Sequence, residues 1–245
     1  ERIAGNSGLK TRYVKEWLSI MVAGQIVELE KIENEEDGFH LPREHAACLV
    51  RGAGSQNLAV YAQEIPLLTT TAMGDVVEAF SHGRGLPYSV YHRFQAFMSE
   101  LANAKHREIL LDKFLPSVAD GDLVKKLHQG INVCDIGCGE GVALLLMADA
   151  FPDSRFTGID ISPEAIASAN KSMRARSIPN AEFVLRDAAS LKEDSDMAQH
   201  FDYIVAFDAI HDQRAPLQTL KAIHHILIPG GLFSMIDIAA GSALR

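Results

Sequence analysis

Residues 133–141 read Val-Cys-Asp-Ile-Gly-Cys-Gly-Glu-Gly, and the fold turns on how this stretch is interpreted. An apolar run, Ile131 to Ile136, stops at three alternating glycines, Gly137, Gly139 and Gly141. A helical pattern follows at once in Ala143, Leu144, Met147, Ala148 and Phe151. A strand that ends in glycines and restarts as a helix presents unpaired backbone N–H groups at the helix start. Without Cβ atoms, such a turn also lets a ligand approach the backbone closely.

Turns of this kind serve both dinucleotides and S-adenosylmethionine (SAM). The dinucleotide pattern places its third glycine one position later, where this chain has Val142. Asp135 sharpens the choice, because it lies inside the strand two residues before the first glycine. SAM carries a sulfonium and an α-ammonium group that a carboxylate can meet directly or through water. A pyrophosphate would be repelled there.

Beyond residue 131 strands and helices alternate, which predicts a parallel sheet with helices on both faces. The second strand, Arg155 to Asp160, ends in an acid about 20 residues past the glycine turn, where this architecture meets a ribose diol. Asp160, with Ile161 beside it, is therefore a cofactor-binding candidate. Ser162-Pro163-Glu164 then opens a helix, with serine as cap and proline in the first turn. The third strand, Ala181 to Leu185, leads to Asp187 and Ala188. A carboxylate there can accept from an adenine amine, and the next backbone N–H can meet a ring nitrogen. The fourth strand, Phe201 to Phe207, runs into Asp208-Ala209-Ile210-His211-Asp212, which should face the transferable methyl because ligands sit at strand carboxyl ends. Pro216 opens a helix expected to bury Leu217, Leu220, Ile223 and Leu227 on one face. Pro229-Gly230-Gly231 should end it before a fifth strand, Leu232 to Ile238.

Upstream, Leu9, Tyr13, Leu18 and Met21 share one face of a helix between Gly8 and Met21. A strand at Ile26 to Leu29, an acidic turn at Asn34 to Gly38 and Phe39-His40-Leu41-Pro42 complete the outline of a winged helix. Lys10, Arg12 and Lys15 offer positive charge, but the acidic wing from Glu28 to Asp37 would face phosphate unfavourably. A packing or dimerisation role is favoured over DNA reading. Residues 43 to 130 read as helices broken at Gly83-Arg84-Gly85-Leu86-Pro87. The aromatic series Tyr88, Tyr91, Phe94 and Phe97 follows, placed where a lid would lie, so Tyr88 and Tyr91 are substrate-pocket candidates. The domains expected are 1–45, a partial winged helix; 46–128, a helical linker and lid; and 129–245, the SAM-binding domain.

Composition narrows the function. A net charge of −9 argues against general nucleic-acid affinity, and apolar runs are too short to span a membrane. Cys48, Cys134 and Cys138 form no metal-ligand spacing, so no metal is expected, and they suit a cytoplasmic protein.

Taken together, residues 131–238 resemble a class I SAM-dependent methyltransferase. The likeness rests on Asp135 with Gly137, Gly139 and Gly141, on Asp160, on Asp187, and on Pro229-Gly230-Gly231. The upstream half resembles the winged-helix and helical-lid region of small-molecule methyltransferases, notably a bacterial and animal subgroup with a Phe-Asp-x-Ile-His-Asp segment. The resemblance implies a Rossmann-like α/β fold, SAM as cofactor and a small-molecule acceptor with an oxygen or nitrogen nucleophile. It also implies His211 as general base, and a homodimer formed through the N-terminal region is expected. Gln213-Arg214-Ala215 departs from the aromatic-acidic sequel usual after that histidine. A catalytically silent SAM-binding or regulatory protein is the alternative. Class I sheets normally continue past the fifth strand through a helix and a hairpin. With Arg245 following so soon, the reading expects a truncated domain with an exposed edge.

Overall fold

The computed structural model describes residues 1–31, 38–87, 90–91, 94–193 and 195–239. The chain divides into two compact units, Glu1–Glu64 and Ile65–Arg245.

In the first unit, α1 (Arg2–Ser7) and α2 (Thr11–Ala23) precede an antiparallel pair, β1 (Glu28–Glu30) and β2 (Gly38–His40), in register Glu28 to His40. Helix α3 (Arg43–Leu49) follows, and the His45 ring contacts the Ile26 carbonyl through Nδ1 at 2.9 Å. Helix then hairpin is the winged outline read from the sequence. The packed face of α2 differs from expectation. Val14 and Leu18 bury against Ala4 of α1, whereas Leu9 and Tyr13 are exposed. Most of the acidic turn, residues 32–37, lies outside the described residues.

The second unit opens with α4 (Glu64–Thr71), which starts at the division, α5 (Met73–His82) and α6 (Phe94–Ile109). A π-helical turn, Leu110–Phe114, then leads through α7 (Leu115–Ser117) to α8 (Asp122–Gln129). The sheet that follows comprises β3 (Asn132–Ile136), β4 (Arg155–Asp160), β5 (Ala181–Leu185), β6 (Phe201–Phe207) and β7 (Leu227–Ile236). The intervening helices are α9 (Val142–Ala150), α10 (Pro163–Ala175) and α11 (Pro216–Ile226). All strand pairs are parallel, in the order β5-β4-β3-β6-β7. The order reverses between β3 and β6, and a crevice at that switch is where open α/β sheets hold ligands.

Strand alternation sorts the core into two layers. Val133, Tyr203 and Val205 face α8 and α9, packing with Leu123, Leu127, Leu144 and Met147. Cys134, Ile136, Ile204 and Ala206 face α11, packing with Ala222, Ile223 and Ile226. This places Asp135 on the α9 side. On α11 the buried residues are Thr219, Ala222, Ile223 and Ile226, while Leu217 and Leu220 are exposed. The expected stripe was displaced around the helix because Leu227 already belongs to β7.

Strand β7 also starts earlier than expected. Phe201 aligns with Leu227 but Tyr203 with Leu232, so Pro229-Gly230-Gly231 is absorbed as a bulge within the strand instead of ending the helix. Gly230 sits at φ +80°, and a Cβ on Gly231 would stand 3.0 Å from the Asp202 carbonyl. Asn180 locks the opposite side of the sheet. Its amide donates to the carbonyls of Ala148, Phe151 and Ser154, satisfying the C-terminal end of α9.

Candidate functional site

The glycine turn forms as the sequence predicts, with Gly137, Gly139 and Gly141 all at positive φ. Each has a different reason to lack a side chain. A Cβ on Gly137 would meet the Ala209 Cβ at 2.5 Å, and one on Gly141 would meet the Phe183 ring at 2.3 Å. Those two glycines let the turn pack against the end of β6 and against β5. Around Gly139 the same test finds nothing within 4 Å. That glycine borders open space, as a ligand cradle would.

Two carboxylates flank this space. Asp160 accepts from the Gly139 N–H through Oδ2 and from the Ser162 N–H through Oδ1, both at 2.8 Å. The end of β4 is thereby tied to the glycine turn, and the remaining lone pairs can receive hydroxyls. Ser162 caps α10 by accepting from the Ala165 N–H, with Pro163 in the first turn, as expected. Asp135 is 2 % exposed, and its Oδ1 is buried without a hydrogen-bond partner. Burial, reinforced by the Asp160 charge, pushes the Asp135 carboxyl up to about 7. A buried acceptor of this kind is costly unless a cation or donor reaches it.

The third strand ends as predicted. Asp187 is exposed and accepts from the Ala189 N–H at 2.9 Å, while Ala188 is buried at the start of a short 3₁₀ segment. Ile161 is half exposed beside Asp160. Asp208 follows β6 at φ +47°, its N–H bonded to the Ile236 carbonyl at 2.7 Å. Non-glycine residues at such angles recur at functional sites.

His211 has a partner the sequence reading did not name. Its Nδ1 makes a tight hydrogen bond to Asp237 Oδ1, and its backbone N–H donates to Asp237 Oδ2 at 3.3 Å. Asp237 also accepts from the Ile238 N–H at 2.8 Å. Burial acts to raise the Asp237 carboxyl, but the donors from Ile238 and His211 outweigh it and hold the group below its ordinary range. Asp212, the neighbour in sequence, stands 3.4 Å from Nε2. The signal for Asp237 was present: it is an acid at the carboxyl end of the fifth strand, where ligand-facing residues collect. Gln213, where the resemblance breaks, donates to the Ala209 carbonyl at 3.0 Å and accepts from buried Thr219 at 3.5 Å. It braces the loop that carries His211.

Of the two aromatic candidates, Tyr88 lies outside the described residues. Tyr91 borders a concavity of about 430 Å³ with Phe80, Arg84 and Leu86. Its lining comes from residues 76 to 91, with none of the strand-end residues among it. Among the described residues no cluster of ligands could hold a metal ion, and no helix is long and apolar enough to cross a membrane.

Comparison with known proteins agrees with this geometry. Residues 127–245 match the family model described as a methyltransferase domain, and residues 1–51 match an Rv2258c-like winged HTH domain. An uncharacterised methyltransferase of Synechocystis is 30 % identical over 115 residues, which cover 46 % of this chain and 49 % of that protein. A demethylmenaquinone methyltransferase of Listeria welshimeri is 25 % identical over 113 residues, covering 46 % and 47 %. The chain thus spans about half the length of the curated relatives it matches. The structure of PigF with SAH superposes over 95 % of this chain and 69 % of its own, at TM-score 0.64 and 19 % identity, a likeness of fold. A methyltransferase domain behind an N-terminal winged HTH domain is the arrangement of a class of SAM-dependent methyltransferases, and this chain carries both parts. SAM is the cofactor of that class, and the residues present fit it. Buried Asp135 lacks a partner, Gly139 leaves its space open, and Asp160 stands beside that space.

Proposed function

We propose that the protein transfers the SAM methyl group to a small-molecule acceptor bearing an oxygen or nitrogen nucleophile, with His211 as the base. The observation that carries this reading is the His211–Asp237 pair at the carboxyl ends of β6 and β7. When bound, SAM supplies a methyl carbon already activated by its sulfonium, so alignment and exclusion of water provide most of the acceleration. Asp135 meets positive charge at the glycine turn, Asp160 holds the ribose diol, and Asp187 with the Ala188 N–H receives the adenine. Asp237 accepts a hydrogen bond from Nδ1–H, fixing the tautomer in which Nε2 is free to accept a proton from the acceptor. The adjacent Asp212 can stabilise the imidazolium that results. Tyr91 is assigned to the acceptor side as part of the helical region around α5 and α6.

The test is release of S-adenosylhomocysteine (SAH) during turnover of a panel of phenols and amines. His211→Ala should reduce turnover by about 10²–10⁴-fold with SAH affinity intact. Asp237→Asn should lower it by an order of magnitude or more, because the wrong tautomer becomes available. Full turnover in His211→Ala would demote the histidine to a wall of the pocket. Tight SAM binding with no acceptor turned over would favour the silent, regulatory reading.

A further inference from the structure

Helix α6 delivers a second histidine to the end of β6. The half-buried His106 ring stands edge-on to Phe207, with centroids 4.7 Å apart and planes at 71°. Phe114 meets the same Phe207 ring at 5.4 Å from the far end of the π-helical turn. That turn lets two residues eight positions apart converge on one ring, and such turns are frequent at functional sites. Phe207 immediately precedes Asp208, and Ala209 lies against Gly137 of the cofactor turn. His106 therefore stands beside the segment assigned to the methyl-facing rim. Burial lowers its proton affinity, Asp208 at the end of β6 raises it, and Lys105 on α6 lowers it.

We propose that His106 sets how strongly the crevice prefers SAM over its product SAH. Neutral His106 leaves the Asp208 carboxylate to face the sulfonium, whereas protonated His106 compensates that carboxylate and removes the preference. The inference rests on Asp208 lying at the methyl-facing rim. SAM and SAH share adenosine and amino-acid groups and differ in a methyl and one positive charge on sulfur, so the ratio of their affinities isolates the field at that atom. A unit charge acting across about 10 Å, at an effective dielectric constant near 20–40, changes affinity severalfold to roughly tenfold. Preferring the charged form limits inhibition by product.

Dissociation constants for SAM and SAH at pH 8 would be measured by calorimetry for the wild type, His106→Gln and His106→Lys. The Gln variant should keep the wild-type ratio. The Lys variant should lose SAM affinity severalfold while binding SAH as before, which also shows that it is folded. Lowering the pH from 8 to 5, far enough to charge a histidine whose proton affinity burial depresses, should erode the SAM preference more in the wild type than in His106→Gln, the common part arising from Asp135. The proposal falls if His106→Lys weakens both ligands alike or neither. Should that variant not fold, an unchanged pH dependence in His106→Gln overturns it. Asp208→Asn separates the underlying assignment, since an unaltered ratio there removes Asp208 from the rim.

Discussion

Asp135 carries the largest electrostatic cost in the site. Its carboxyl is buried beside Asp160 with one oxygen lacking a partner, and its pKa is pushed up to about 7. The ordinary value is near 4, so between these values the folded protein holds a proton that the unfolded chain has released. The stabilisation from that proton is complete below about pH 4 and is lost as pH rises through 7. Asp135→Asn should therefore leave the unliganded protein's Tm nearly unchanged at or below pH 4 and raise it increasingly toward pH 8, equivalent to roughly 2–4 kcal/mol at the upper end. Ligand binding should show the other side of the linkage. A cation drawn to Asp135 favours its ionised form, so SAM uptake at pH 6.5 should release part of a proton. Calorimetry in two buffers of different ionisation heat measures this, and identical heats would detach Asp135 from the cofactor. Residue type and position were enough to select Asp135, Asp160 and Asp187. Their partners were not, since the hydrogen bond from Gly139 to Asp160 spans 21 residues and that from His211 to Asp237 spans 26.

At the level of elements, the strand–turn–helix from β3 to α9 separates the roles of its glycines. Gly139 opens on empty space, whereas Gly141 is packed under Phe183 and Ala169. Gly139→Ala should cost only about 1–2 kcal/mol of stability, for a side chain in the left-handed region, while removing SAM binding. Gly141→Ala should lower Tm far more, because its Cβ would overlap the Phe183 ring as well. Thermal melts with and without SAH distinguish the two, and equal destabilisation would refute the cradle. The helical faces of α2 and α11 were legible as amphipathic but misplaced by a position or so. On short helices that bury only part of a turn, the packed face is chosen by what lies opposite. Ala4 selects Val14 and Leu18 on α2, and the opposing strands select Ala222, Ile223 and Ile226 on α11. The bulge at Pro229-Gly230-Gly231 was read as a stop because proline and glycine usually punctuate. In β7, which among the described residues pairs with β6 alone, the same residues are tolerated inside the element.

For the whole molecule, the winged unit poses a question of partners. Its small core is Ala4, Val14 and Leu18, while Tyr13, Trp17 and Ile20 run along an exposed face of α2, Tyr13 at 75 % and Trp17 at 51 %. Of the cations on that helix Arg12 is paired with Glu16 at 3.2 Å, and Glu28 and Glu30 are exposed on the hairpin, which suits protein better than phosphate. We propose that this face meets a second copy of the chain. Trp17→Glu should convert dimer to monomer in light scattering without loss of SAM affinity, and a monomeric wild type would end the idea. The sequence by itself determined the parallel sheet, the glycine turn and the acids at the strand ends, because these depend on local backbone geometry and on the period of apolar residues. The tertiary structure alone decided that Asp237 would hold His211, that Ala209 would close on Gly137, and that His106 would reach Phe207. Those pairings join residues far apart along the chain. They exist only because parallel strands bring their carboxyl ends to one rim, and because a π-helical turn sets α6 against it.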